Sequence, residues 1–174
     1  MSSSISLIGM AGAGKSSIAS ELASKLDFRI IDSDEMIEQS QDSSLQGILD
    51  LVGYDRFKKI EEEILLSVDF NKIILSTGGS AVYSQKAMEY LMQNSKVFFL
   101  AVPFNIILER VENFSERGFI KSPDQTISDV FEEREYLYKK YCHHVIDNSF
   151  DVFTGLSNSK VMLNLLLSLT LPLH

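Results

Sequence analysis

With 174 residues, 45% of them hydrophobic, the chain can cover one substantial core but is short for two, so a single domain is expected over 1–174. Its formal net charge of -8 disfavours a nucleic-acid partner, because affinity for a phosphate backbone rests on clustered Lys and Arg. The lone Cys142 excludes an internal disulfide framework and a cysteine-held zinc, and no apolar stretch reaches the roughly 20 residues of a membrane helix, so a soluble cytoplasmic protein without membrane contact is expected.

The N-terminus passes from Met1-Ser2-Ser3-Ser4 straight into an apolar run, with neither the basic segment nor the cleavage pattern of a secretory signal. Runs rich in Ile, Val, Leu and Phe then alternate with stretches of helical period, the pattern of a parallel sheet covered by helices on both faces. Strands are expected at Ile5–Gly9, Phe28–Asp32, Lys72–Thr77, Lys96–Val102 and His144–Asn148. A helix is expected over Ser16–Leu26, where Ile18, Leu22 and Leu26 share a face. An insertion of about 33–62 follows the second strand, and the region carries helical patterns at Asp34–Gln39, Leu45–Val52 and Asp55–Val68. In the last of these, Glu61, Glu62 and Glu63 are expected opposite an apolar stripe. Further helices are expected over Ser84–Met92, Phe104–Asn113, Ile127–Tyr141 and Lys160–Leu169. Between them Phe114–Gln125, broken by Gly118 and Pro123, reads as a mobile lid of about 114–125.

Chemistry concentrates first at Gly9-Met10-Ala11-Gly12-Ala13-Gly14-Lys15-Ser16, which meets G-x-x-x-x-G-K-[ST] at every fixed position between an apolar strand and a helix. Backbone N–H groups there can line an anion site at the positive end of a helix dipole. Gly12, Ala13, Gly14, Lys15, Ser16 and Ser17 are therefore the expected phosphate-binding set, with ATP as the phosphoryl donor. Lys15, read as an exposed side chain, should reach the β- and γ-phosphates, and the Ser16 hydroxyl should hold Mg²⁺.

Asp32-Ser33-Asp34 closes the second strand, where ligands of open α/β sheets gather. One carboxylate can serve the metal shell and the other an acceptor hydroxyl, although either could simply cap the following helix. Gly78 and Gly79 remove side chains from the same edge of the sheet, as a plain tight turn also would. Four cations stand out: Lys58, Arg110, Arg117 and Arg134. A surface role is the default for each, and Arg117 departs from it most clearly, since a lid cation can close over a transferring phosphate. His143 and His144 read as structural or surface residues.

Taken in order, these residues resemble the shikimate kinases over Ser6 to about Asn148. Gly53–Glu61 is similar to that family's G-E-x-x-F-R-x-x-E stretch, with Phe57 and Glu61 in place, and Gly78-Gly79 begins its triple-glycine turn. The resemblance implies an α/β, three-layer P-loop kinase fold with a five-stranded parallel sheet, a helical acceptor-binding insertion and a lid. It implies that Asp32 helps hold Mg²⁺ through water, that Asp34 binds acceptor hydroxyls, and that Arg110 lies against adenine. It further implies that Arg117 touches ATP phosphates, that Lys58 and Arg134 grip a carboxylate, and that Gly78, Gly79 and Ser80 border the acceptor. Lys15, Asp34 and Arg117 are then the catalytic set. The implied activity is ATP-dependent phosphorylation of a small anionic hydroxy acid, shikimate to shikimate 3-phosphate, by a monomer.

Four positions depart from the family pattern: Lys58 for arginine, Tyr54 for an acid, Ser80 for the third glycine and Gly118 for a lid proline. All lie at the acceptor or lid, while the phosphate loop is intact. A related kinase acting on another polyol or sugar acid is the alternative, and a nucleotide-binding module without phosphotransfer is the third.

Overall fold

The computed structural model describes residues 4–111, 121–122 and 124–149. Its elements run β1 (Ile5–Ile8), α1 (Lys15–Leu26), β2 (Arg29–Asp32), α2 (Ser33–Gln41), α3 (Leu45–Leu66) and β3 (Ile73–Ser76). A short 3-10 turn at Ala81–Tyr83 precedes α4 (Gln85–Asn94), β4 (Lys96–Ala101), α5 (Phe104–Arg110), α6 (Ile127–Lys140) and β5 (His144–Asp147). The strands form one parallel sheet in the order β2-β3-β1-β4-β5. This is the α/β architecture expected from the alternation of apolar runs and helical periods.

Burial follows position in that order. Ile5, Leu7 and Ile8 of central β1 are essentially inaccessible, as are Ile73, Ile74 and Leu75 of β3, because helices cover both faces. Ile18, Ala19 and Leu22 of α1 and Ala87, Met88 and Leu91 of α4 join the same core. At the sheet's margin β2 is only four residues long, and its Arg29 and Ile30 are exposed. A second, smaller core of Ile37, Ile48, Phe57 and Ile60 fastens α2 to α3. Burying a ring such as that of Phe57 contributes about 1.5–3 kcal/mol. The insertion thus carries its own packing and presents its polar residues from a fixed frame.

Within α3 the backbone leaves helical geometry at Gly53, with φ 76° and ψ 170°. That region is essentially closed to residues with a Cβ. The two helical patterns expected on either side of Gly53 are therefore real, joined by a kink rather than a loop.

Several boundaries differ from expectation. Lys72 has φ 50° and lies outside β3, so that strand is shorter than Lys72–Thr77. Phe28 is likewise outside β2, its N–H donating to the Ala23 carbonyl at the end of α1. The turn at Ala81–Tyr83 was not expected from the sequence. Glu61 corrects the reading of α3: it sits among the buried Phe57, Ile60 and Leu65 rather than opposite them. Its side chain finds a hydrogen-bond donor in the loop after β3, which lets a carboxyl occupy the apolar face. His143 and His144 are structural as expected: His143 Nδ1 accepts the Val97 N–H at 3.0 Å, and His144 stacks on Phe98. Among the described residues no helix is long and apolar enough to cross a membrane. Arg117, Gly118, nearly all of the expected lid and the Lys160–Leu169 helix lie outside the described residues.

Candidate active site

The loop between β1 and α1 begins where the buried strand ends, and Gly14 at its close has φ 89°. A Cβ there would also lie 2.9 Å from Asn148 Nδ2. That amide donates to the Ala13 carbonyl at 2.8 Å. Arg110 adds bonds to the Gly12 carbonyl at 3.3 Å and the Asn148 carbonyl at 3.2 Å. The outer wall of the loop is thus fixed from α5 and from the end of β5. Ser16 and Ser17 are exposed at the start of α1, whose first turn carries no acidic residue. The first turn of the helix therefore sets no negative charge of its own against an anion.

Lys15 corrects an expectation. It is 8% exposed rather than open, and its ammonium donates to the Gly9 and Met10 carbonyls at 2.8 Å each. The loop curls around its own lysine, supplying the acceptors that a buried cation requires. Burial lowers its pKa to about 8, against the pull of the Asp34 and Asp32 carboxylates.

Asp32 holds two positions at once. Its Oδ1 accepts the Asp34 N–H at 2.9 Å and caps α2, while the residue also faces the cavity beside the loop. The capping alternative and the site reading are compatible, because capping engages only one carboxylate oxygen. Asp34, two residues on in the first turn of α2, has its pKa raised to about 6, first by burial and then by the charge of Asp32, with Lys15 acting oppositely.

The cavity encloses about 410 Å³. Gly12, Gly14, Lys15, Ser16, Ser17 and Arg110 line it together with Asp32, Asp34, Ser76, Thr77 and Gly79. Most of the expected nucleotide residues and both aspartates therefore share one space. Ala13, expected in the nucleotide set, is buried beneath the loop, with its N–H donating to the Met10 carbonyl at 3.1 Å and its carbonyl accepting from Asn148.

Of the expected acceptor residues, Asp34, Ser80 and Arg134 meet at the glycine turn after β3. Gly78 donates its N–H to Ser33 Oγ at 2.9 Å, and a Cβ on it would lie 2.4 Å from Asp34 Oδ1 and 2.7 Å from Glu61 Oε1. A Cβ on Gly79 would lie 2.9 Å from Arg134 Nη1. Arg134 is 2% exposed, 5.2 Å over the Tyr83 ring, with Nε donating to Tyr83 Oη at 3.4 Å. Tyr138 donates to the Gly79 carbonyl at 2.6 Å and stacks on Phe99. Ser80 turns its hydroxyl to Glu61 Oε2 at 2.6 Å. Lys58 is turned to Asp55 Oδ1 at 3.2 Å and lies 4.2 Å over the Tyr54 ring. That pair keeps its charge half-sheltered on the insertion.

Four residues at the site were not singled out from sequence: Glu61 as a turn-facing group, Tyr83, Tyr138 and Asn148. Glu61 stands one helical turn after Phe57 and Tyr138 one after Arg134, so each shares a face with a residue already marked. Asn148 carried no such signal.

A sequence model described as shikimate kinase matches residues 11–164 of this chain. A shikimate kinase of Haemophilus influenzae is 32% identical over 169 residues, covering 95% of this chain and 91% of that one. "Shikimate kinase 2" of Yersinia enterocolitica is 33% identical over 154 residues, covering 84% and 87%. Among solved structures, the shikimate kinase of Acinetobacter baumannii in complex with shikimate superposes with a TM-score of 0.80 at 27% identity, covering 97% of this chain and 95% of that one. That of Aquifex aeolicus gives 0.79 at 28%, covering 95% of each. With an intact phosphate loop, a five-stranded parallel sheet in the same frame and a family match over most of its length, this chain belongs to the shikimate kinase family.

Proposed function

We propose that the protein transfers the terminal phosphoryl group of ATP to a hydroxyl of shikimate, giving ADP and shikimate 3-phosphate. One observation carries the reading: a single cavity joins the phosphate loop to Asp34 beside a turn whose Gly78 and Gly79 leave room for a small molecule. The N–H groups of Gly12 to Ser17 cradle the phosphates. Lys15 exchanges the Gly9 and Met10 carbonyls for the β- and γ-phosphate oxygens, keeping its charge partnered throughout. Asp34 accepts the proton of the acceptor hydroxyl as its oxygen bonds to the γ-phosphorus and the bond from that phosphorus to the bridging oxygen breaks.

The Ser16 hydroxyl and the Asp32 carboxylate are hard oxygen donors facing one cavity, which suits Mg²⁺. Among the described residues no cluster of three or more His, Cys, Asp or Glu forms a dedicated metal cage, in keeping with an ion that retains waters and leans on substrate phosphates. When bound, Mg²⁺ supplies positive charge to the phosphate oxygens. Arg134 serves as the directional fork for the acceptor carboxylate, with Lys58 as a point charge. Arg117 closes from the lid, and Arg110 supports the adenine side. We read the protein as a cytoplasmic monomer.

The Lys58 contacts favour one second reading, a related hydroxy acid as the true acceptor, because a lysine held by Asp55 and Tyr54 orients a carboxylate less strictly than an arginine. ADP release measured with shikimate and with a panel of hydroxy acids separates the two. Shikimate should give the highest kcat/KM, and Asp34→Asn should lower kcat severely while leaving the KM for ATP nearly unchanged. Faster turnover of another hydroxy acid would retain the kinase chemistry and replace the substrate.

A further inference from the structure

The short turn at Ala81–Tyr83 carries the chain from the glycine turn toward α4 and ends on a half-buried tyrosine. The Tyr83 N–H donates to the Ser80 carbonyl at 3.0 Å, so the ring leaves the backbone from a fixed point. Its phenol oxygen accepts Arg134 Nε at 3.4 Å, and its ring lies 5.2 Å from the guanidinium. Another edge of the same guanidinium faces the glycine turn, where a Cβ on Gly79 would lie 2.9 Å from Nη1. Tyr83 therefore engages Arg134 through Nε while the Nη1 edge is directed at the turn.

The phenol is held in its turn. Its hydroxyl donates to Glu133 Oε2 at 3.4 Å, the same oxygen receives Gln125 Nε2 at 2.6 Å, and Gln125 Oε1 accepts the Ser122 N–H at 3.2 Å. Glu133 is exposed, so its charge stays in water, whereas Arg134 is 2% exposed. A carboxylate set on Nε would offset the charge that the arginine offers to a ligand. A phenol accepts the same N–H and stays neutral. Burial, with Glu133 and Tyr54 adding to it, raises the Tyr83 pKa against the charge and hydrogen bond of Arg134, so the phenol keeps the proton it gives to Glu133.

We propose that Tyr83 is a positioning residue for the acceptor carboxylate: it fixes the guanidinium plane of Arg134 through Nε and the ring, and Glu133 fixes Tyr83. The ligand class is a small hydroxy acid, and the inference rests on the proposed role of Arg134 as the carboxylate fork. Arg134 attracts an anion without Tyr83, but a guanidinium free to tilt matches both carboxylate oxygens less often. The property that depends on Tyr83 is therefore the preference for an acid over its neutral amide.

Steady-state ADP release with shikimate and with its carboxamide, at saturating ATP, tests this. Tyr83→Phe keeps the ring and loses the oxygen, and its shikimate KM should rise about fivefold, with kcat and the KM for ATP within about twofold. Tyr83→Leu also loses the ring and should raise the shikimate KM about thirtyfold. The carboxamide has no anion to orient, so its KM should be nearly the same in both variants as in the wild type. Glu133→Ala should raise the shikimate KM about threefold when Tyr83 is present and add nothing to Tyr83→Phe.

An unchanged acid-to-amide preference in both Tyr83 variants, or equal losses with shikimate and the carboxamide, overturns the inference and leaves Tyr83 a packing residue. Additive effects of Glu133→Ala and Tyr83→Phe overturn the part given to Glu133. Should Tyr83→Leu not fold, Tyr83→Phe decides alone, since it deletes a single half-buried oxygen. If the wild type shows no preference for shikimate over its carboxamide, or Arg134→Met keeps that preference, the fork reading itself falls, and this inference with it. A preference lost in Arg134→Met but intact in both Tyr83 variants removes this inference alone.

Discussion

Alanine at position 78 places a methyl group where two carboxyls converge, 2.4 Å from Asp34 Oδ1 and 2.7 Å from Glu61 Oε1. Ordinary van der Waals contact begins near 3.5 Å, so Asp34 has to withdraw by about 1 Å and Glu61 by somewhat less. Both obstacles are the ends of side chains, and Gly78 has no left-handed φ, so the backbone can keep its course. The disturbance therefore falls on the site more than on the fold. A 1 Å misplacement of a positioning group costs about 10²-fold in rate, or about 2.7 kcal/mol of transition-state stabilisation. Gly78→Ala should thus reduce kcat/KM for shikimate by about two orders of magnitude while a cooperative urea transition persists. The assay is ADP release at varied shikimate and saturating ATP, with nucleotide affinity measured separately by titration of an ATP analogue. A folded Gly78→Ala protein within about threefold of wild-type kcat/KM would refute the claim that Asp34 works from the observed position.

Glu61→Gln should flatten the pH dependence of stability. The folded pKa is raised from 4.5 to about 7, so the unfolded chain releases this proton first and wild-type stability falls as pH climbs through that window. Urea melts at about pH 5 and pH 8 should show the variant gaining about 2.5 kcal/mol relative to wild type at the higher pH, and a constant difference would remove the assignment. Asn148→Ala deletes the 2.8 Å bond to the Ala13 carbonyl and should raise the KM for ATP about fivefold, with shikimate KM unchanged. A change confined to shikimate would place Asn148 elsewhere in the mechanism. Gly53→Ala meets no atom within 4 Å, so its cost is backbone strain alone, about 1–3 kcal/mol in a urea melt. An unchanged midpoint would mean the kink relaxes without penalty.

Local chemistry was legible in the sequence, and chemistry assembled across the sheet was not. The phosphate loop announces itself because eight consecutive residues build it, and the five strands do so because buried parallel strands are continuously apolar. The Gly53 kink was visible as two separate helical patterns. Glu61 was misassigned because three consecutive glutamates read as a solvated face, while its real partner, Ser80, comes from the loop after β3. Lys15 was misread as exposed because its acceptors are carbonyls of its own loop, and no residue type reports where a carbonyl points. Most of the phosphate-loop lining of the cavity could be listed in advance, because the motif itself spells it out. The sequence named Lys58 and Arg134 without their aromatic neighbours: Tyr54 stands four residues before Lys58 on the same helix and could have been read from that spacing, whereas Tyr83 reaches Arg134 only through the packing of α6 on the turn after β3.

The marginal strand β2 has a bearing on assembly. A strand at the limit of a sheet offers unpaired backbone groups to any other extended chain, a hazard that natural proteins reduce with short, charged strands. Here the strand is four residues long, opens on exposed Arg29 and ends at Asp32, which lies at the cavity. A second chain zipped along it would crowd the mouth of its own catalyst. Self-association through this margin and turnover are therefore opposed, and any selection that preserves activity also keeps the sheet from growing in that direction.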